Sequence, residues 1–365
     1  MVLPPITAAS RGTKLRAALA GQHLDAMIVT DLSNVRYLTG YSGSNGTVII
    51  TVDEMVLLTD GRYAEQSVQQ IDEYHADATV CVGNRQAHID RVVELTKACT
   101  RIAFEEGDVT VSRHKDLVAA WFIDKELVGV DSVVESLRGI KDHAELARIE
   151  MAARIADEAL YAVRPLLLNE ATEQEFAHAL ENEMRRRGAQ GPAFETIVAS
   201  GPNGAKAHHE PSTRVITRGD LVVIDFGALV EGYRSDITRT FSIGPMSELQ
   251  QTIFDVVHQA QALGVQAVRS GVETKVVDAA CRDSITAAGY GEYFTHGTGH
   301  GVGLDIHELP RVGASVPDTL ATRQVVTVEP GVYLPGVGGV RIEDSVVVTA
   351  DGCRPVTLFP KDPEL

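Results

Sequence analysis

The pattern of apolar and polar positions divides the chain in two. Through the first 130 residues, short β-branched runs alternate with amphipathic ones. "DAMIVTD" (25 to 31), "GTVIITVDEMVLLTD" (46 to 60) and "RIAFEE" have the composition of strands, whereas "GRYAEQSVQQI", "RQAHIDRVVELTKACT" and "VSRHKDLVAAWF" carry helical periodicity. This alternation predicts a small α/β domain with a mainly parallel sheet. Between its first two strands, "DLSNVRYLTGYSGSNG" (31 to 46) is rich in Gly, Ser and Asn. It suits a functional or dimer-contact loop and equally a plain surface loop.

Around 133 to 145 the pattern changes to a long helix, "DHAELARIEMAARIADEALYAVRP", that must end near Pro165. The boundary is therefore set at 135, giving domains 1–135 and 136–365. A helix capped at Thr172, "TEQEFAHALENEMRRRG", and a strand "ETIVASG" follow. Strand-rich sequence covers 213 to 243, helices 247 to 269 and 274 to 288, and strands again the remainder. A helix pair followed by strands thus occurs twice, which hints at an internal duplication without enough identity to establish one.

Composition narrows the class. At 365 residues the chain exceeds what one core usually organises, and 44% hydrophobic with 23% charged residues describes a globular protein. No apolar run approaches the eighteen or so residues of a membrane span, and the start lacks a signal-peptide pattern. The expectation is a cytoplasmic protein with no membrane partner. Its 50 acidic and 33 basic residues leave a net charge of −17, which disfavours nucleic acid. The four cysteines form no C-x-x-C pair, so neither a disulfide framework nor a thiolate metal site is indicated.

Candidate chemistry lies in the second half. In "DLVVIDFGALVEGYRSDITRTFSI" two strands meet at "VEGY". Reversal about the Val230–Glu231 bond sets Asp225 opposite Asp236, with Cβ atoms about 4.5 to 5.5 Å apart. Such a pair binds a cation or a proton, or else Asp225 simply ends its strand and Asp236 is solvated. "VVTVEPGVYL" puts Glu329 at the end of a strongly apolar strand. "GGVRIEDSVVVT" puts Arg341 and Glu343 on one strand face, where the bland alternative is an ordinary ion pair.

"FTHGTGHGVGLDIHELP" (294 to 310) places His296 and His300 four apart, the spacing of a zinc-binding helix. Four glycines at 297, 299, 301 and 303, each costing about 1 kcal/mol against alanine, defeat that helix. The glutamate of the H-E-x-x-H motif is also missing. An extended, glycine-rich segment is expected instead. Should Asp225, Asp236, His300, Glu329 and Glu343 converge, four carboxylates and one imidazole would neutralise two divalent cations. An oxygen-dominated set suits manganese, cobalt or iron(II), with zinc not excluded by affinity. Metal-assisted hydrolysis is the chemistry to expect.

At these residues the chain resembles a known family. "IDFGALVEGYRSDITRTF", "HGTGHGVGLDIHE", "TVEPGVYLPG" and "GVRIEDSVVV" are similar to the pita-bread metallopeptidases, in the Xaa-Pro dipeptidase (prolidase) and aminopeptidase P branch. The first 130 residues resemble the creatinase-type N-terminal domain. The resemblance implies an α+β protein of two domains: a smaller α/β creatinase-like domain, then a pita-bread catalytic domain with antiparallel sheet and flanking helices. It implies a dinuclear site, manganese first, held by Asp225, Asp236, His300, Glu329 and Glu343, in which a bridging hydroxide attacks the carbonyl preceding proline. Glu329 falls also on the proton shuttle, His307 on the histidine that steadies the tetrahedral intermediate as an imidazolium, and His208 on a substrate-binding histidine, with His209 an ambiguity of register. His296 falls on a histidine that either stands behind the metal ligands or faces the substrate, and Arg341 on the arginine beside the last glutamate.

The partners implied are short proline-containing peptides and a second subunit in a homodimer. Creatinase lacks the ligand set, and methionine aminopeptidases generally lack the first domain. A non-catalytic pita-bread binding module is the reading from another class. Dipeptidase is preferred to aminopeptidase P on the compact length.

Overall fold

The computed structural model describes residues 3–365, which form two compact units, Pro4–Arg138 and Gly139–Leu365. Among the described residues no helix is long and apolar enough to cross a membrane.

The first unit is built on a six-stranded sheet. Across it run Thr79–Val82, Met55–Thr59, Thr47–Thr51, Ala26–Val29, Arg101–Glu105 and Glu126–Val130. Thr47–Thr51 is antiparallel to both neighbours and the other three pairings are parallel, so the sheet is mixed. The reversal comes from a tight turn closed by Thr51 N–H donating to the Glu54 carbonyl at 2.8 Å, which folds 46 to 60 into a hairpin. Ala26, Ile28, Ile49, Val56, Leu58 and Ile102 fill a core with the helical residues Ile89, Val92, Leu117 and Trp121. Each large aliphatic side chain buried there contributes roughly 1.5 to 3 kcal/mol.

The segment 31 to 46 is only partly a loop. Leu32–Thr39 is a helix, capped where Asp31 accepts from Asn34 N–H and ended by Gly40 at φ +77°. Its apolar stripe, Val35 and Leu38, is fully buried, and that burial outweighs the low helix propensity of Ser33 and Asn34.

The second unit repeats one construction. Helix His143–Val163 packs with Glu173–Arg186, and Glu248–Ala267 with Thr274–Ala287. Three of these four helices begin in a reciprocal capping box, formed by Asp142 with Glu145, Thr172 with Glu175 and Ser247 with Gln250. The first helix pair covers an antiparallel sheet of Ile197–Ser200, Leu221–Phe226 and Ile237–Ser242. The second covers a sheet containing Gly299–Gly301, Val325–Val328 and Asp344–Val348.

Strand alternation then sorts the side chains. Val222, Ile224, Phe226, Ile237 and Phe241 enter the first helix-packed core, and Val326, Val328, Val346 and Val348 the second. Asp225, Thr238 and Thr240 take the opposite face of the first sheet, and Thr327 and Ser345 that of the second. A hydrogen bond from Glu343 N–H, just ahead of Asp344–Val348, to the Thr238 carbonyl joins the two sheets, and Thr240 Oγ1 bonds the backbone of Arg341, at the end of a separate hairpin of Gly331–Leu334 and Gly338–Arg341. The candidate residues lie at this junction.

Candidate metal centre

Asp225 stands one residue before the end of its strand, while Asp236, Glu329 and Glu343 each flank a strand end and His300 is central in a three-residue strand. Asp225 is not opposite Asp236. It pairs with Thr238, because a two-residue turn of Glu231 and Gly232, both at positive φ, shifts the register by two. A shift of two preserves the face, so Asp236 remains a diagonal neighbour of Asp225. Arg341 and Glu343 are likewise not on one strand. Arg341 ends Gly338–Arg341 and Glu343 precedes Asp344–Val348, yet both turn into the same site.

Oxygens of Asp225, Asp236 and Glu343 all lie within 4.8 Å of one another, the one such grouping among the described residues. His300 Nε2 lies 3.3 Å from Glu329 Oε1 and 3.5 Å from Asp236 Oδ2, so all five predicted residues converge. Asp236 and Glu343 are 4% and 1% exposed, depths at which bare carboxylates are costly. Burial, then mutual repulsion, pushes their carboxyls well above the usual range. Burial likewise raises Asp225, against the opposing pull of Arg341. Burial would raise Glu329 too, but the His300 hydrogen bond and charge outweigh it and hold Glu329 at about 2.

Two buried oxygens, Asp225 Oδ1 and Glu343 Oε1, have no hydrogen-bond partner. Orphan acceptors among crowded anions are what a cation would satisfy, so the donor set fits divalent metal. The imidazole is prepared in the same sense. His300 Nδ1–H donates to the Gly301 carbonyl, 3.0 Å away, which leaves Nε2, whose proton here serves Glu329, as the nitrogen that a cation would claim on displacing that proton. Its strand also needs glycine: a Cβ on Gly299 would lie 2.1 Å from the Thr327 carbonyl oxygen.

Arg341, 2% exposed, ties the centre together. Its Nη2 donates to Asp225 Oδ2 at 2.7 Å, its Nε to Thr238 Oγ1 at 3.2 Å and its Nη1 to the Tyr333 hydroxyl at 2.8 Å. The same hydroxyl lies 2.8 Å from His296 Nε2. Tyr333 therefore relays Arg341 to His296, a role sequence reasoning missed because the residue sits in the strand "GVYL" like any core aromatic. Tyr333 stands two positions from Gly331, the hairpin partner of Arg341, and so shares that face, which only the strand pairing reveals.

A cavity of about 590 Å³ opens beside the carboxylates, lined among others by Phe194, His208, His296, Ile306 and His307. The His307 ring meets the His300 ring edge-on at 4.4 Å. His209 also borders the cavity but is bonded at 2.8 Å to the buried Glu173, whereas His208 is exposed toward the space.

Comparison with known proteins agrees with this construction. Residues 147–350 match the model of metallopeptidase family M24, and residues 11–140 that of the creatinase/prolidase N-terminal domain. The chain is 40% identical over 353 residues to an uncharacterized peptidase of Bacillus subtilis, covering 96% of this chain and 98% of that one. An Xaa-Pro dipeptidase structure from Bacillus anthracis superposes with TM-score 0.93 at 37% identity, covering 98% of this chain and 100% of that one. An X-Pro aminopeptidase structure from Thermotoga maritima gives 0.87 at 34%, with 97% and 99% covered. Five converging metal-type ligands and a family match spanning their strands lead to one assignment: the chain belongs to metallopeptidase family M24 and carries a creatinase/prolidase N-terminal domain.

Proposed function

We propose that this protein hydrolyses the peptide bond preceding proline, acting as an Xaa-Pro dipeptidase. The observation that carries the reading is the buried carboxylate group with two orphan oxygens, opening on a cavity edged by four further histidines. Asp225, Asp236, His300, Glu329 and Glu343 would hold two divalent cations, manganese first, which supply an acidified water and polarise the scissile carbonyl.

The chain's own residues do the rest. Glu329, a carboxylate with one oxygen held by Thr327 Oγ1 at 3.1 Å, accepts a proton from the attacking water and passes it to the departing proline nitrogen. His307 meets the developing oxyanion. It does so as a hydrogen-bond donor; burial, then the facing His300, lowers its pKa from the usual histidine value. His208 contacts substrate from the cavity mouth. Through Tyr333, His296 and Arg341 keep Asp225 in place. Because proline's amide nitrogen carries no hydrogen, such a bond needs a site that does not depend on binding one.

The dipeptidase reading rests on relatives of that name at 36% and 37% identity; a solved X-Pro aminopeptidase at 34% supports the alternative of longer peptides. The free cysteines at 81, 99, 281 and 353 suit the cytoplasm, and a homodimer is the assembly we expect. Manganese-loaded protein assayed on an Xaa-Pro dipeptide and an Xaa-Pro-Yaa tripeptide decides the specificity. Higher kcat/KM on the dipeptide is expected; the reverse makes it an aminopeptidase. Cleavage of neither, in protein that binds no divalent metal, overturns the enzyme reading in favour of a binding module.

A further inference from the structure

Glu173 takes no part in the chemistry above, yet few carboxylates in the chain are so fully committed. It is the first residue of helix Glu173–Arg186 and is 0% exposed. Its Oε1 accepts from Ser200 N–H at 2.7 Å, Ser200 Oγ at 2.6 Å and Asn203 Nδ2 at 3.1 Å. Its Oε2 accepts from Ser212 N–H at 3.0 Å and Ser212 Oγ at 2.6 Å, with His209 Nε2 at 2.8 Å. Every donor belongs to residues 200 to 212. The adjoining backbone adds two more ties, Glu173 N–H to the Arg214 carbonyl and Gln174 N–H to the Ser212 carbonyl.

This ring of donors closes both ends of one loop, and the apex of the loop is the cavity wall. Ala207 and His208 both line the cavity, and the Ala207 carbonyl accepts from Arg341 Nη1 at 3.3 Å. On its other side the loop lies directly on Gly338–Arg341: a Cβ on Gly204 would come within 2.9 Å of Gly339 N. The loop is thus pinned by Glu173, by the glycine contact and by Arg341, and His208 projects from the middle of the three.

We infer that Glu173 is a positioning residue for substrate binding, a buried carboxylate that fixes His208 at the cavity mouth by clamping residues 200 to 212. The adjacent histidines then divide their work: His209 is the latch donating to Glu173, and His208 faces the peptide. This rests on the peptidase reading for what His208 touches, but the clamp itself does not. Burial opposes the charge on Glu173, and the surrounding donors outweigh it, holding the carboxyl at about 2, so the clamp stays closed throughout the neutral range.

Glu173→Gln keeps the shape and removes the charge, turning one acceptor into a donor that faces other donors. In manganese-loaded enzyme it should raise KM for an Xaa-Pro dipeptide about tenfold, the scale of hydrogen bonds to a charged group, with kcat and metal content nearly unchanged. In a His208→Ala background the same substitution should add almost nothing to KM, because Glu173 acts through that ring. An undiminished KM penalty in that background, or a loss confined to kcat or to metal content, overturns the inference.

A second measurement needs no activity. Trypsin cleavage after Lys206, within the loop, should run about tenfold faster in Glu173→Gln than in the parent at equal global stability. Unchanged cleavage there overturns the clamp. A parent enzyme that cleaves no Xaa-Pro peptide, with Lys206 still released by Glu173→Gln, would overturn the peptidase reading and leave the clamp standing.

Discussion

Replacing Glu343 by glutamine tests whether the centre is built for cations. At an effective dielectric of about 20, two unit charges 4.8 Å apart repel by about 3.5 kcal/mol. Glu343 faces Asp225 and Asp236 at or within that distance, so full ionisation would cost about 7 kcal/mol in these two pairs. The metal-free protein escapes part of this cost by taking up protons, as the raised carboxyls of all three residues require. Glutamine removes one charge, still accepts from Thr238 Oγ1, and offers an amide N–H to the remaining carboxylates.

In chelator at pH 8 the variant should therefore be more stable than the parent by at least about 2 kcal/mol, or about 4 to 8 °C in Tm for a unit of this size. The pH dependence has a definite sign. Groups whose folded pKa is raised contribute stability that is complete below their unfolded values, about 4, and is lost as pH rises through the folded ones. Metal-free parent should lose Tm as pH rises above about 4, and Glu343→Gln should lose less. Manganese reverses the order: at 100-fold over Kd the parent gains about 2.7 kcal/mol, while the variant, short of a ligand, gains far less. Scanning fluorimetry at both pH values, with chelator and with manganese, reads all four states. A variant that is less stable than the parent in chelator, and equally stabilised by manganese, refutes the cation-site argument.

Two further substitutions probe the supports of the site. Tyr333→Phe leaves Arg341 Nη1 and His296 Nε2 without their shared partner and should cost about 1 to 3 kcal/mol, read as a fall in Tm together with a fall in kcat; activity within twofold of the parent would remove Tyr333 from the relay. Gly204→Ala drives a Cβ into the Gly339 backbone, which cannot yield as a flexible side chain could, and is expected to lower Tm by several degrees and raise KM, both checked on the same preparation; an unchanged Tm would show that the loop is not pressed against that strand.

How far the site was legible depended on the kind of signal. Charged residues embedded in β-branched runs, as at Asp225, Glu329 and Glu343, announce themselves because burial without a partner is so costly. The glycines around His300 excluded a helix, and a strand is what forms. Register was less legible: the reversal at Glu231–Gly232 rather than Val230–Glu231 depended on turn geometry, and the face survived only because the shift was even. Glu173 and Tyr333 were invisible. Glu173 opens a helix like any first-turn acid, and its six donors lie 27 to 39 residues away.

The sequence by itself determined which residues can bear the chemistry, since residue type and local periodicity set charge, ligand character and strand face. It also determined the repeated succession of helix pairs and strands, because amphipathic pattern and caps are local. Tertiary structure alone decided that acids from two sheets face one another, that Arg341 secures Asp225 rather than its near neighbour Glu343, and that His208 and His209 part ways. Those outcomes depend on which distant backbones meet at the junction of the sheets, and no local pattern carries that distance.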